Sequence, residues 1–187
     1  SAPDIPADRF TALTRLDHDR AVSLLARKAR RRPSDVTRMT IWGNHSTTQY
    51  PDVFNARICG RPAMDWVDDG WVAFDYIPQV ARRGAAVIAA RGKSSAASAA
   101  NATISHVRDW FAGTPVDGWT SMAVVSDGSY GIPEGLVSSF PVTAGAGRWS
   151  IVPGLTLNAF SRTKIEASVA ELIAEAETVT RLGLIPR

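Results

Sequence analysis

Thr120-Ser121-Met122-Ala123-Val124-Val125, Leu136-Val137-Ser138-Ser139-Phe140-Pro141-Val142 and Trp149-Ser150-Ile151-Val152 are three short apolar runs divided by glycine and proline. Runs of this length, bounded by turn residues, read as an antiparallel meander. The period then changes. From about Ser161 to Leu182, the residues Ile165, Val169, Leu172, Ala176 and Val179 follow a 4-3-4-3 spacing. That spacing puts one apolar face on a long helix, with Glu166, Glu171, Glu175 and Glu177 mostly off it. Strands gathered in one stretch and helices in others predict an α+β fold, not a doubly wound sheet.

Upstream of the meander the signals are mostly helical. A helix is expected from Ser94 or Ser95 to just before Gly113, and its first half, Ser94 to Ala100, is nearly all small residues. Small side chains let another helix, a cofactor ring or a substrate come close. A second helix is expected from about Pro78 to Ala90, with Val80, Val87 and Ile88 inward and Gly92 as its stop. Residues 46–76 hold Pro51, Gly60, Pro62 and Gly70 and read as loops and a ribbon, with strand-like scraps at Ile58 and at Val72-Ala73-Phe74. Thr40-Ile41-Trp42 is β-branched and aromatic, and reads as a buried strand ending at Gly43-Asn44. The first helix is expected from Asp8, a plausible N-cap, to Arg32, where Pro33 stops it. Gly128-Ser129-Tyr130-Gly131 and Gly145-Ala146-Gly147 fall between strands and read as turns.

With 187 residues, 45% hydrophobic and 21% charged, the chain can bury a core without staples. The single cysteine, Cys59, excludes an intrachain disulfide and a cysteine-rich zinc site, and agrees with a reducing compartment. No run of 18 apolar residues suggests a membrane span. The segment Ser1-Ala2-Pro3-Asp4-Ile5-Pro6 lacks the pattern of a secretion signal, so a cytoplasmic place is expected. Net charge is +3, with 18 arginines against 3 lysines. The cluster Arg27, Lys28, Arg30, Arg31, Arg32 closes the first helix, where cations suit the C-terminal dipole, so no nucleic-acid partner is expected. Neither Gly-x-Gly-x-x-Gly nor Gly-x-x-x-x-Gly-Lys-Ser/Thr occurs, and the chain offers no phosphate cradle of its own.

Three histidines occur: His18, His45 and His106. His45 follows the strand in Trp42-Gly43-Asn44-His45-Ser46, a position held rigidly yet able to open into a cleft. Its ordinary pKa near 6.5 suits proton exchange at neutral pH. A histidine simply bonded within a loop is the plainer reading. Asp17 and Arg20 lie three apart on a helix and share a face. They form a local ion pair, or else they act separately. Arg20 can grip a carboxylate with two parallel hydrogen bonds, and Asp17 can fix the tautomer of an imidazole. Spacing alone leaves both readings open.

Leu16-Asp17-His18-Asp19-Arg20, followed by Ile41-Trp42-Gly43-Asn44-His45-Ser46, resembles malate dehydrogenase of the cytosolic type, in the lactate/malate dehydrogenase family. The likeness continues through Thr48 to Asp52, Arg83 to Ile88, Ser94-Ser95-Ala96, His106 to Asp109, Ser121-Met122, Ser126 to Gly131, Ser138 to Val142 and Phe160-Ser161-Arg162. It covers nearly the whole chain.

The resemblance implies the family's C-terminal catalytic domain over residues 1–187, with long helices packed on an antiparallel sheet. It implies that the N-terminal Rossmann domain, which holds NAD, is absent from this chain and precedes it in the intact enzyme. It implies the reversible oxidation of malate to oxaloacetate, a reaction of the tricarboxylic acid cycle, by a homodimer. The first helix and the helix after Ser94 are the candidate interface. His45 resembles the proton donor and acceptor, Asp17 its carboxylate partner, and Arg20 the clamp on the substrate carboxylate. Ser94 and Ser95 resemble serines beside the nicotinamide, although helix capping explains them equally well. His18 and His106 are left as structural. Asp19 stands where the family more often has asparagine and is expected to point away from the pocket. Lactate or another 2-hydroxy acid is the competing substrate, and a non-catalytic dimerisation module the competing class.

Overall fold

The computed structural model describes residues 4–184; the ends of the chain, including Ser1-Ala2-Pro3 of the opening segment, lie outside the described residues. The elements run α1 (Arg15–Ala29), β1 (Val36–Thr37), β2 (Thr40–Trp42), β3 (Tyr50–Asp52), β4 (Arg57–Ile58), β5 (Arg61–Pro62), α2 (Asp69–Trp71), α3 (Ile77–Ala81), α4 (Arg83–Arg91), α5 (Ala96–Ala112), β6 (Thr120–Val125), β7 (Val137–Gly145), β8 (Arg148–Ile151) and α6 (Ala159–Arg181). The fold is α+β, with helices packed on antiparallel sheets, as the segregation of periods predicts.

The meander forms as expected, in the order β6-β7-β8. Met122 faces Phe140, and Ala144 faces Trp149 across the next pair. Ala146 (φ 52°) and Gly147 (φ 73°) turn β7 into β8, the left-handed pair that a tight hairpin needs. A second hairpin pairs β2 with β3, placing Ile41 opposite Pro51 and Trp42 opposite Tyr50. Gly43 then bridges to Ser139 on β7, so the two hairpins are joined where β2 ends. Trp42, Tyr50, Tyr76, Phe140, Leu25, Met39 and Ile41 are fully buried around this junction. Each buried side chain of this kind contributes about 1.5–3 kcal/mol. Trp42 also packs edge-on to Tyr130, with ring centroids 4.8 Å apart.

Four expectations need correction. The first helix starts at Arg15, not Asp8, and ends at Ala29. Asp8 falls instead in a short 3-10 turn, Ala7–Arg9, and after it Ala12 and Ala123 exchange two main-chain bonds of 2.9 and 3.2 Å, a bridge that keeps the chain out of the helix there. At its end Arg30 turns left-handed (φ 54°), and the Arg31 N–H closes back on the Ala26 carbonyl. Pro33 opens a short 3-10 turn instead of stopping the helix. Val72-Ala73-Phe74 belongs to a wide π turn, Val72–Tyr76, launched by the Asp68 side chain accepting from the Trp71 N–H. Val72, Tyr76, Ile77 and Val80 are its buried face, a helical spacing hidden by the β-prone identities of 72–74. The helix expected over 78–90 is broken at Arg82. Beyond the break Ile88 is half exposed, because α4 leaves the core to wall a cavity.

The closing helix behaves as its spacing predicts near its start: Ile165 and Val169 are buried, and Leu172, Ala176 and Val179 are half-buried. It begins at Ala159, close to the expected Ser161, and Asn158 caps it, accepting from the Ser161 N–H at 2.8 Å.

Candidate active site

Asp17 occupies the first turn of α1, where the helix dipole favours a negative charge, and its side chain is fully buried. It is not left uncompensated. One carboxylate oxygen accepts from His45 Nδ1 at 2.5 Å; the other accepts from Arg20 Nη1 at 3.3 Å. The structure therefore brings together Asp17, Arg20 and His45, the three residues that spacing alone could not join. Asp17 makes both contacts at once, one with Arg20 on its own helix and one with His45.

His45 sits three residues past β2, on a loop started by Gly43. Gly43 has φ 84°, and a Cβ there would fall 2.1 Å from Ser168 Oγ, so glycine is required twice over. The imidazole is 61% exposed even though its carboxylate partner is buried. The hydrogen bond to Asp17 raises the imidazole pKa above its ordinary value, against burial and the Arg20 charge, which lower it. With Nδ1 donating to the carboxylate, Nε2 is the nitrogen left to exchange a proton with a substrate.

Arg20 is positioned from both sides. Its Nη1 meets Asp17, and its Nη2 donates to Ser95 Oγ at 3.1 Å. Ser95 stands at the N-cap position of α5, but no cap bond from its side chain is made; its hydroxyl serves Arg20. Ser94 is exposed and lies next to it. Of the five guanidinium N–H groups, those not used by Asp17 and Ser95 remain for an anion.

Arg20 and Ser95 open into a cavity of about 920 Å³ between α1, α3, α4 and α5. Arg27, Arg82 and Arg83 line it too, and Ala97 and Ser98 form its small-residue side. Asp19, expected to point away, stands on its wall with its charge held by Arg15 Nε at 2.8 Å. Gly84 of α4 comes close enough that a Cβ there would lie 3.8 Å from Arg20 Nη1. Arg83 and Gly84 stood out in the sequence only as part of a block, and nothing in their spacing assigned them to this wall.

The other two histidines are built into the packing. His18 Nδ1 pairs with Ser121 Oγ at 2.9 Å, and burial pushes its pKa down to about 3. His106 Nε2 pairs with Thr11 Oγ1 at 2.9 Å, and burial lowers its pKa as well.

The sequence matches the family model for the lactate/malate dehydrogenase α/β C-terminal domain over residues 14–182. Among solved structures, malate dehydrogenase from Naegleria fowleri is 49% identical, with a TM-score of 0.90 over 97% of this chain and 56% of its own. Lactate dehydrogenase from Trichomonas vaginalis, in complex with NADH and oxamate, is 29% identical, with a TM-score of 0.92 over 98% of this chain and 58% of its own. Malate dehydrogenase from Salinibacter ruber, 23% identical with a TM-score of 0.80, shares the fold over 97% of this chain. The chain thus spans a little more than half the length of the solved proteins it matches.

Proposed function

The chain belongs to the lactate/malate dehydrogenase family, and from that premise we propose that it is the catalytic domain of an NAD-dependent malate dehydrogenase of the cytosolic type. The observation that carries the chemistry is the buried carboxylate of Asp17, shared between His45 and Arg20. The 49% identity to a malate dehydrogenase, against 29% to a lactate dehydrogenase, supports malate as the substrate.

In this reading Arg20 grips the carboxylate next to the reacting carbon through N–H groups left free by Asp17 and Ser95. A planar fork held from two sides presents paired donors that a lysine cannot match. His45 Nε2 then lies at the hydroxyl of malate and takes its proton as the alcohol becomes a ketone; in the reverse direction it returns that proton to the carbonyl oxygen of oxaloacetate. Asp17 keeps Nδ1 protonated, so Nε2 is the basic nitrogen, and stabilises the imidazolium that results. Because Asp17 is held in place by Arg20 and by the packing around it, little reorganisation accompanies the transfer.

NAD, when bound, accepts the hydride. The residues of this chain that fit its nicotinamide end are Ser95 and the small side chains Ala97 and Ser98 beside Arg20, with the exposed Ser94 next to them in sequence. The dinucleotide's phosphates need a glycine-rich strand-to-helix turn, and none occurs among the described residues. The main cofactor site is therefore assigned to a separate nucleotide-binding domain. Pairing of two copies through α1 and α5 is part of the same proposal. It is supported by an apolar stripe on α5, Ile104, Val107 and Phe111, whose members are 68, 46 and 62% exposed. No helix among the described residues is long and apolar enough to cross a membrane; a cytoplasmic place is proposed from the sequence.

The test is a comparison of oxaloacetate and pyruvate as substrates of the full-length enzyme, followed by loss of NADH absorbance. A higher kcat/KM for oxaloacetate is expected. Preference for pyruvate would replace malate by lactate, and no NADH oxidation with either would overturn the reading.

A further inference from the structure

His45 is held by α1 on its own account, but the residues on either side of it are held by α6. The Asn44 N–H donates to Ser168 Oγ at 2.8 Å, and Asn44 Nδ2 donates to Glu175 Oε1 at 2.9 Å. On the other side, Ser46 Oγ donates to Glu171 Oε2 at 2.5 Å, and Thr48 Oγ1 donates to the same oxygen. Ser46 Oγ also accepts from the Thr48 N–H at 3.0 Å, closing the turn on itself. The contact of Gly43 with Ser168 leaves no room for a side chain between loop and helix. Hydroxyl donation from Ser46 and Thr48 lowers the Glu171 pKa, so the carboxylate is ionised at neutral pH.

This arrangement has a purpose that packing alone does not require. The imidazole is mostly exposed, and its one side-chain hydrogen-bond partner among the described residues, Asp17, belongs to α1 and not to the loop or to α6. A loop free to drift would carry Nδ1 away from Asp17 and Nε2 away from the substrate. We infer that Glu171, with Ser168, is a positioning residue of the reaction, a clamp on α6 that fixes the His45 loop against the Asp17 carboxylate. The inference rests on His45 being the proton-transfer group proposed above. Glu171 touches neither His45 nor Arg20, so it acts through the loop alone.

The charged groups facing the imidazole are Asp17 and Arg20, both on α1; Glu171 and Glu175 on α6 face the flanking residues. Losing the clamp lengthens the Asp17–His45 contact, which is what raises the imidazole pKa. That pKa then falls toward its ordinary value. Malate oxidation needs neutral His45, so its acid limb moves to lower pH; oxaloacetate reduction needs imidazolium, so its alkaline limb moves to lower pH as well. Substrate binding by Arg20 is untouched.

The experiment uses the full-length enzyme with Glu171→Ala, Glu171→Gln, Thr48→Val and, in parallel, His45→Asn. For Glu171→Ala we expect kcat to fall roughly tenfold, within the ~10² that a 1 Å misplacement can cost. KM for oxaloacetate should hold within about twofold, and both pH limbs should shift down. Glutamine, which still offers the hydroxyls an acceptor, should restore most of kcat. Thr48→Val, which removes a hydroxyl that meets Glu171 and Ser168 while leaving the residues of α6 unchanged, should move kcat and the limbs the same way by less. Unchanged kcat and pH limbs in both Glu171→Ala and Thr48→Val overturn the clamp. Equal losses in kcat and substrate affinity, without a pH shift, overturn it too, since they show general loosening of the fold. If Glu171→Ala does not fold, Thr48→Val and Glu171→Gln decide alone. Full activity of His45→Asn would sink the proton-transfer reading itself, a result distinguishable from failure of the clamp.

Discussion

Asp17 and His18 are neighbours on α1, yet they open onto two different environments. Asp17 meets His45, an imidazole that is mostly exposed, hydrogen-bonded to an anion and raised in pKa. His18 turns into the packing against β6, where Ser121 is its partner and burial drives its pKa down to about 3. The same kind of ring is thus tuned in opposite directions beside two successive residues of α1. Histidine identity does not make a proton shuttle; a charged partner on one nitrogen and open space at the other do. His106 falls on the same side as His18, with a hydroxyl partner and a buried ring.

The difference can be broken most sharply at the exposed ring. His45→Asn in the full-length enzyme should lower kcat by about 10²–10⁴, the usual worth of general acid–base catalysis. Its melting temperature should barely move, because the ring is exposed and lies outside the core. A variant that keeps its kcat would make the two histidines equivalent after all. The next largest effect is expected across the carboxylate, at Arg20. Arg20→Lys should raise the KM for oxaloacetate by about 10- to 100-fold, the equivalent of a lost charge-assisted hydrogen bond. Steady-state kinetics with kcat nearly retained would assign Arg20 to binding and His45 to chemistry.

The smallest effect belongs to the buried ring, and it is read in stability. A histidine held neutral on folding binds fewer protons than the unfolded chain between about pH 6.5 and pH 3. Its contribution is therefore complete above pH 6.5 and is lost as pH falls. At about 1.36 kcal/mol per pH unit, roughly 2 kcal/mol should go between pH 6.5 and pH 5. His45, raised in pKa, acts with the opposite sign, weakened by its exposure. Thermal melts of the chain at pH 7 and pH 5 should show His18→Gln with the flatter dependence. Equal slopes in wild type and variant would mean that His18 titrates normally.

The sequence was informative where one element carries its own signal. The meander and the buried strand before His45 needed only local periodicity and turn residues. Asp17 and Arg20 share a face by helical spacing alone. What was not legible depends on partners from elsewhere in the chain. The start of α1 was lost because Ala123, more than a hundred residues away, holds Ala12 extended. Val72-Ala73-Phe74 looks extended by residue type, but only its context with Tyr76, Ile77 and Val80 reveals a helical face. Glu171 lies off the apolar face of α6 by its spacing, and the structure leaves it half-buried. Its meaning lies in two hydroxyls of a loop 123 and 125 residues earlier. The Asp17–His45 contact is of the same kind: both residues were singled out, and only the fold joins them.

The pairing of Ala12 with Ala123 has one more consequence. In the order β6-β7-β8, β6 is an outer strand, and outer strands present rows of free amides and carbonyls to any other chain. The segment before α1 occupies part of that row at Ala12, and Trp149 and Gly147 at the β7–β8 end tie down Asp8 and Arg9 in the short 3-10 turn just ahead of it. The stretch that does not join α1 is thus a cover strip. Cleaving it would leave the site residues in place but uncover a template for strand addition, so the damage would appear as self-association before it appeared as lost chemistry.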